Sequence, residues 1–429
     1  MRVPLGRRFL TKSPRVDVVT LGCRLNTYES EAMRDLAASH ADGDVVIINT
    51  CAVTGMAERH SRQAVRRAVK DNPHAQVIVT GCSAQLSPHV YEKMPGVTRV
   101  LGNHDKMQSA SFLPQIQEKV IVSDIAQVRE SAHHLVHGFD AHARAFIQIQ
   151  NGCDHRCTFC TIPLARGPNR SVGMGEIVRQ VQVLVDQGVK EVVLTGVDIT
   201  DYGQDLPGTT RLATLVERLL AHVPDLPRLR LSSLDPSEVD EELFDMMQEA
   251  RFMPHLHVSF QAGDNMILKR MKRRHLREDA FAFCEKVRVK RPDAVFGADF
   301  IAGFPTESEE MFAKTLEAID ICDLTYLHVF PFSPRPGTPA ARMPQLDGTL
   351  ISARAAKLRE VGATRVARFL QTLVGTTQDV LVEEGGRGHT PHFAPVSFEE
   401  KGDPLPALGE IVKTVVTGAT PSHLLVKRI

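Results

Sequence analysis

Three segments within the first hundred residues share one pattern: VDVVTLGC ends at Cys23, DVVIINTC at Cys51 and AQVIVTGC at Cys82. Each is a β-branched apolar run, then a small residue, then cysteine. Short runs that stay apolar read as strands buried on both faces. Helix-like stretches, YESEAMRDLAAS and AERHSRQAVRRAVK, follow the first two. This strand–helix alternation predicts a parallel sheet. The carboxyl ends of such strands share one edge, where ligands bind. The repeat therefore predicts that Cys23, Cys51 and Cys82 converge, although 28 and 31 positions separate them. The competing expectation is three inert, buried thiols, and the threefold repetition of one placement weighs against it.

A second triplet is compressed. In NGCDHRCTFCTIPLARGPNRS, residues 151–171, the thiols of Cys153, Cys157 and Cys160 form C-x3-C-x2-C. The basic start, MRVPLGRRFLTKSPRVDVV, lacks an apolar stretch of signal-peptide length, and no window approaches a membrane span. A cytoplasmic protein without a membrane is expected. Thiols stay reduced there, so clustered cysteines favour metal or catalysis over disulfides. Four readings stay open on spacing alone. A zinc site would need His155 as fourth ligand. A redox pair from Cys157 and Cys160 would leave Cys153 unused. Chance clustering is the third. The fourth is a four-iron cluster held by three thiolates, with one iron open to a ligand. Such clusters reach potentials low enough to push an electron into a reluctant bond, and S-adenosylmethionine is the cofactor known for that use.

C-x3-C-x2-C with Phe159 before the last cysteine resembles the radical S-adenosylmethionine superfamily. The resemblance implies that Cys153, Cys157 and Cys160 hold a [4Fe-4S] cluster. The cofactor's methionine chelates the open iron, and its reductive cleavage yields a 5′-deoxyadenosyl radical. The middle of the chain agrees. Strand-like runs AFIQIQ, EVVLTG, RLRLSS, HLHVSF, VFGADFIAGF and YLHVFPF alternate with helix-like stretches. Six such units predict a partial (β/α)6 barrel with its chemistry at the carboxyl ends of the strands. Small or polar residues there are cofactor-binding candidates: Thr195 and Gly196 at the second strand, Ser232 at the third, Ser259 and Gln261 at the fourth, Asp299 and Gly303 at the fifth. Ordinary turn chemistry is the bland alternative at each.

Three cysteines ahead of such a domain resemble the methylthiotransferase family, over almost the whole chain. That resemblance implies a second [4Fe-4S] cluster on Cys23, Cys51 and Cys82. It implies replacement of a hydrogen on carbon by a methylthio group, with one S-adenosylmethionine as methyl donor and one as radical source. TLGCRLNTYESEAM, INTCAVTGMAERHSRQ, ARGPNRS and HVFPFSPRPGTPAARM look like the branch acting on threonylcarbamoyladenosine beside the tRNA anticodon. Isopentenyladenosine in tRNA and an aspartate of a ribosomal protein are the substrates of the other branches. A non-catalytic zinc protein that binds RNA is the reading from a different class. An external electron donor is implied, and the sulfur source is unknown.

The expected organisation is α/β: a parallel-sheet methylthiotransferase unit over 15–125, the radical S-adenosylmethionine barrel over 140–365, and a small all-β tail over 369–429. The short alternating runs of the tail predict a β-barrel, and its position resembles the family's TRAM domain. Lys+Arg and Asp+Glu both total 51, so whole-chain charge names no partner. The tail carries 5 Lys+Arg against 7 Asp+Glu, a weak footprint for phosphate. Arg59, Arg62, Arg66 and Lys70 share one face of a predicted helix. With Arg166 and Arg170, which flank the compressed triplet, they are the RNA-binding candidates; a solvated charged face is the alternative. KRMKRRH, residues 269–275, is a further basic run.

Overall fold

A computed structural model describes residues 15–129, 143–208, 210–399 and 405–429. Most of the basic opening segment, the first residues of the expected barrel unit (140–142) and tail residues 400–404 lie outside the described residues.

The N-terminal sheet is β1 (Val16–Thr20), β2 (Val45–Thr50), β3 (Gln76–Gly81), β4 (Arg99–Leu101) and β5 (Val120–Ile121), all parallel and in chain order. β2 is buried along its whole length, as its unbroken apolar run requires. Its side chains alternate between faces. Val45 and Ile47 pack with helix α1 (Arg24–Ala38), and Val46 and Ile48 with helix α2 (Gly55–Asp71). α1 offers the stripe Tyr28, Ala32, Met33 and Ala37. α2 starts at Thr54, whose hydroxyl accepts from the Ala57 N–H. β4 and β5 are three and two residues long, too short to show a period in sequence.

β6 (Ala145–Gln148) opens the second unit. β7 (Gln150–Asn151) and β8 (Arg170–Ser171) pair antiparallel and pinch off the loop with the compressed triplet. The barrel continues through β9 (Glu191–Thr195), β10 (Arg228–Leu231), β11 (His255–Gln261), β12 (Val295–Ala302) and β13 (Leu324–Pro331). The order is β6-β9-β10 and β11-β12-β13, with a parallel bridge from Leu234 to Val258 closing the seam. All six strands expected from sequence are present, and the partial barrel stands. One apolar core runs from Met33 and Ile47 of the first unit to Ile147, Leu194 and Phe300 of the second.

β14 (Thr377–Glu383), β15 (Arg387–His389), β16 (Pro395–Phe398), β17 (Ile411–Ala419) and β18 (Leu424–Arg428) form the closed C-terminal barrel. Residue 369, the expected start of this tail, falls inside the long helix Gly348–Thr372. The helix runs on because Leu370 at its end packs into the barrel's own core with Val380 and Val426. Among the described residues no helix is long and apolar enough to cross a membrane.

Candidate active site

The compressed triplet sits at the barrel mouth. Gly152 has φ +73°, and a Cβ there would lie 1.8 Å from the Pro168 carbonyl oxygen, so only glycine permits the turn. The Cys153 N–H donates to the Gly167 carbonyl at 3.1 Å, and the Cys160 N–H to the Cys157 carbonyl at 3.1 Å. The Ile162 N–H donates to Cys160 Sγ at 3.4 Å. Arg273 Nη1 donates to Cys157 Sγ at 3.5 Å, held in place by Asp235 at 2.6 Å. Burial pushes the Cys160 thiol up to about 12, and it raises Cys153 as well. Burial also acts against the Cys157 thiolate, but His155 and Arg273 outweigh it and lower that thiol. A thiolate is the metal ligand, so two charged neighbours prepare this one.

The dispersed triplet converges as expected. Cys23 caps α1, Cys51 follows β2, and Cys82 opens the short helix Cys82–Leu86 after β3. Gly81, at φ +95°, brings Cys82 up tight, since a Cβ there would lie 2.4 Å from the Thr50 carbonyl. Cys23 feels the charge of Cys82, and Cys51 that of both. Burial lifts Cys51 to about 11 and raises Cys23. Cys23 is nevertheless the exposed thiol of this triplet, beside the buried Cys51 and Cys82.

The two triplets face each other. Cys82 packs with Ala52 and with Ala165, on the helix Ile162–Arg166 that continues the other triplet's loop. Asn103 Nδ2 donates to Cys82 Sγ at 3.7 Å and to the Ala165 carbonyl at 2.8 Å. Arg166 lies between them, only 1% exposed. Its guanidinium binds both carboxylate oxygens of Glu29, at 2.8 and 3.0 Å, and Asn26 Oδ1 at 2.6 Å. Lys106 Nζ reaches Glu29 at 2.6 Å from the other side. Burial alone would raise Glu29, but Arg166 and Lys106 hold its carboxyl down at about 2. One carboxylate against two cations leaves a net positive charge beside Cys23 and Cys82.

Donor geometry tests what these thiols fit. The His, Cys, Asp and Glu groups whose donor atoms close to within 4.8 Å, among the described residues, are Cys153–His155–Asp198, His257–Asp299–His328 and His155–Asp198–Asp201–Glu238. Neither cysteine triplet is among them. The sulfurs of a single tetrahedral zinc stand about 3.8 Å apart. Both triplets are wider than that, with the soft donor set and the room of a polynuclear iron–sulfur cluster.

Of the cofactor candidates, Phe159, Gln261 and Asp299 line one cavity of about 210 Å³, with Val53 and Thr54 from just beyond Cys51. Asp299 is kept ionised there: burial would raise it, and His257 at 2.9 Å and His328 at 3.4 Å outweigh that. Thr195 and Ser232 are buried in strand pairing outside this cavity. Gly196 abuts Gln150, whose Oε1 accepts from Val197 and Asp198. The Ser259 carbonyl accepts from Arg273 at 3.2 Å. Gly303 makes room for Ile351 of the long helix.

Arg59, Arg66 and Lys70 are exposed on α2, with Arg62 half-buried beside them. The N-terminal end of that helix meets the barrel through the Arg335–Glu58 ion pair and the Gly55 N–H to Ser333 Oγ, 3.1 Å. Arg166 and Arg170 correct the sequence reading. Both are buried, Arg170 on the carbonyls of Pro168 and Arg166, so neither reaches a surface open to RNA. Sequence reasoning passed over Glu29, Lys106, Asn103 and Arg273. Glu29 did leave a trace: it is an acid on the stripe of Leu25, Ala32 and Met33. Arg273 was hidden, because a run of bases does not say which one turns inward.

The model of the radical SAM superfamily matches residues 147–319, and that of uncharacterized protein family UPF0004 matches residues 15–102. The chain is 50% identical to a threonylcarbamoyladenosine tRNA methylthiotransferase of Rickettsia prowazekii, over 96% of each chain. It is 33% identical to a tRNA-2-methylthio-N(6)-dimethylallyladenosine synthase of Corynebacterium urealyticum, over 95% of this chain and 81% of that one. Its fold resembles the radical S-adenosylmethionine methyltransferase TsrM of Kitasatospora setae, with TM-score 0.51 and 17% identity, covering 70% and 67% of the two chains.

Proposed function

We propose, on the premise that this chain belongs to the radical S-adenosylmethionine tRNA methylthiotransferase family, that it places a methylthio group on C2 of N6-threonylcarbamoyladenosine beside the anticodon. The observation that carries the reading is the meeting of the two cysteine triplets beside the buried Arg166. When bound, the cluster at Cys153, Cys157 and Cys160 would supply the electron for cleaving one S-adenosylmethionine, a second S-adenosylmethionine would supply the methyl group, and the cluster at Cys23, Cys51 and Cys82 would present sulfur.

The chain's own residues divide the work. Cys153, Cys157 and Cys160 hold the cluster at the barrel mouth, and His155 and Arg273 favour the thiolate of Cys157. Cys23, Cys51 and Cys82 hold the other, with Cys23 the thiol open to solvent. Phe159, Gln261 and Asp299 line the cofactor's cavity. The first unit packs on the barrel mouth and buries Cys82 against Ala165 there. Arg59, Arg62, Arg66 and Lys70 offer the tRNA a cationic face outside it. The protein works in the cytoplasm with an external electron donor.

Deleting the gene in its host and digesting bulk tRNA to nucleosides for mass spectrometry tests the reading. Loss of the 2-methylthio form, with threonylcarbamoyladenosine accumulating, is expected. Loss of the methylthiolated isopentenyladenosine instead would overturn the substrate, and no change in either would overturn tRNA as substrate.

A further inference from the structure

His155 lies between Cys153 and Cys157 but belongs to neither triplet. Its Nε2 points at three carboxylates: Asp198 at 3.4 Å, Asp201 at 3.3 Å and Glu238 at 3.3 Å. The imidazole is only 6% exposed. Yet Nε2 meets no acceptor in hydrogen-bond geometry. A buried polar nitrogen aimed at three oxygens and bonded to none calls for an explanation.

The spacing supplies one. Ligand atoms held at about 2.0–2.1 Å around a tetrahedral ion stand about 3.3 Å from one another. The three nitrogen–oxygen separations match that edge, and all four donor atoms lie within 4.8 Å of one another. Charge points the same way. Asp198, Asp201 and Glu238 carry three negative charges, and Arg274 pairs with Glu238 at 2.6 Å. Arg274, which also lies 3.9 Å from Asp201, is the one Lys or Arg paired with these three carboxylates among the described residues, so acids outnumber bases there. The carboxylates are also steadied from outside: Thr200 Oγ1 donates to Asp198 Oδ1 at 2.7 Å, and Gln204 Nε2 to Asp201 Oδ1 at 2.8 Å. Such outer partners orient metal ligands. An open cavity of about 670 Å³, lined in part by Thr200, Glu238 and Arg274 and by no cysteine, gives an ion a path to these carboxylates.

We propose that His155, Asp198, Asp201 and Glu238 form a binding site for one divalent cation of the zinc or manganese class, beside the compressed triplet, whose Cys153 Sγ lies 3.9 Å from Asp198, but with no thiol among its ligands. One nitrogen and three carboxylate oxygens are hard-to-borderline donors and suit such ions rather than iron–sulfur chemistry. The ion ties the loop between Cys153 and Cys157 to the segments after β9 and β10, so it anchors the mouth of the barrel.

The test uses anaerobically purified, iron-loaded full-length protein. Mn2+ is titrated in while free Mn2+ is counted by electron paramagnetic resonance. One Mn2+ per chain, displaced by Zn2+, is expected. In the Asp201→Asn, Glu238→Gln double variant binding should fall at least tenfold while iron and acid-labile sulfide stay at their usual content. X-ray absorption of the zinc-loaded wild-type protein gives an answer that needs no variant: a shell of nitrogen and oxygen only, at about 2.0–2.1 Å. Sulfur in the zinc shell would place the ion on the cysteines and overturn the site. So would wild-type protein that binds no more Mn2+ than the double variant, leaving His155 as a protonated hub of ion pairs. Neither readout depends on methylthiolation, so failure here is separable from failure of the proposed function.

Discussion

The barrel is closed at both ends by another unit, and each closure has a buried glutamate at its centre. At the mouth, Glu29 of the first unit binds Arg166 and Lys106. At the base, Glu191 on β9 binds Arg230 and Arg144 at 2.8 Å. The guanidiniums there reach on to the C-terminal barrel: Arg228 to the Asp379 carbonyl, Arg230 to the Thr390 carbonyl and Arg144 to Glu383. Phe393 of that barrel stacks on His255, with Arg24, Arg144 and Arg230 around its ring. Both glutamates are pulled down to about 2 against their burial. The electrostatic device is the same at both ends. The difference lies in what stands next to it. Thiols flank the mouth network, while rings, backbone carbonyls, Arg24 and the Glu383 carboxylate flank the base network. A buried ion pair becomes functional by its neighbours rather than by its strength.

The largest effect should separate the two triplets within the mouth itself. Alanine at Cys153, Cys157 or Cys160 should abolish both cofactor cleavage and methylthiolation. Alanine at Cys23, Cys51 or Cys82 should leave 5′-deoxyadenosine formation measurable and stop sulfur insertion. Loss of cleavage in the second set would refute the division of labour.

Next comes a direct test of mouth against base. Arg166→Met and Arg230→Met each remove one cation from a buried carboxylate and leave it another, Lys106 on Glu29 and Arg144 on Glu191, so the cost in unfolding experiments should approach but not exceed about 3–5 kcal/mol. Only Arg166→Met should also alter the paramagnetic resonance spectrum of the cluster on the first unit. Equal spectra in the two variants would mean that the mouth network is structural alone.

Phe393→Ala should cost about 2 kcal/mol, from reduced apolar burial and the missing cation–π partners. It should loosen the C-terminal barrel, as hydrogen exchange would report, and leave cofactor cleavage intact. On α2, Arg59→Gln with Arg66→Gln should weaken tRNA binding and flatten its salt dependence by roughly 0.7–0.9 for each phosphate no longer neutralised.

The smallest effect is in pH. A carboxyl held near 2 contributes stability that is present above its unfolded value near 4.5 and is lost as pH falls toward 2. Melting curves of wild type, Glu29→Gln and Glu191→Gln between pH 2 and 6 should therefore converge at the acid end. Convergence for one variant only would show that the two networks are not alike.

How much was legible follows from the range of each signal. The strands were legible because apolar runs are local. The six cysteines were legible because three repeat at strand ends and three lie within eight positions. The boundary at 369 was misplaced because helix and small barrel share a core through Leu370. Arg166 and Arg170 look like surface charges in the sequence because it shows a base and not its burial.

The chain's order of residues alone determined the strand–helix alternation, the convergence of Cys23, Cys51 and Cys82 on one sheet edge, and the soft donor set of both triplets. These depend on backbone period and side-chain chemistry, which act over a few residues. Only the tertiary structure decided that the triplets meet, that Arg166 pairs with Glu29 across 137 positions, and that three carboxylates gather at His155 Nε2. Those contacts are set by docking of whole units, where burial makes each unpaired charge costly and so selects its partner.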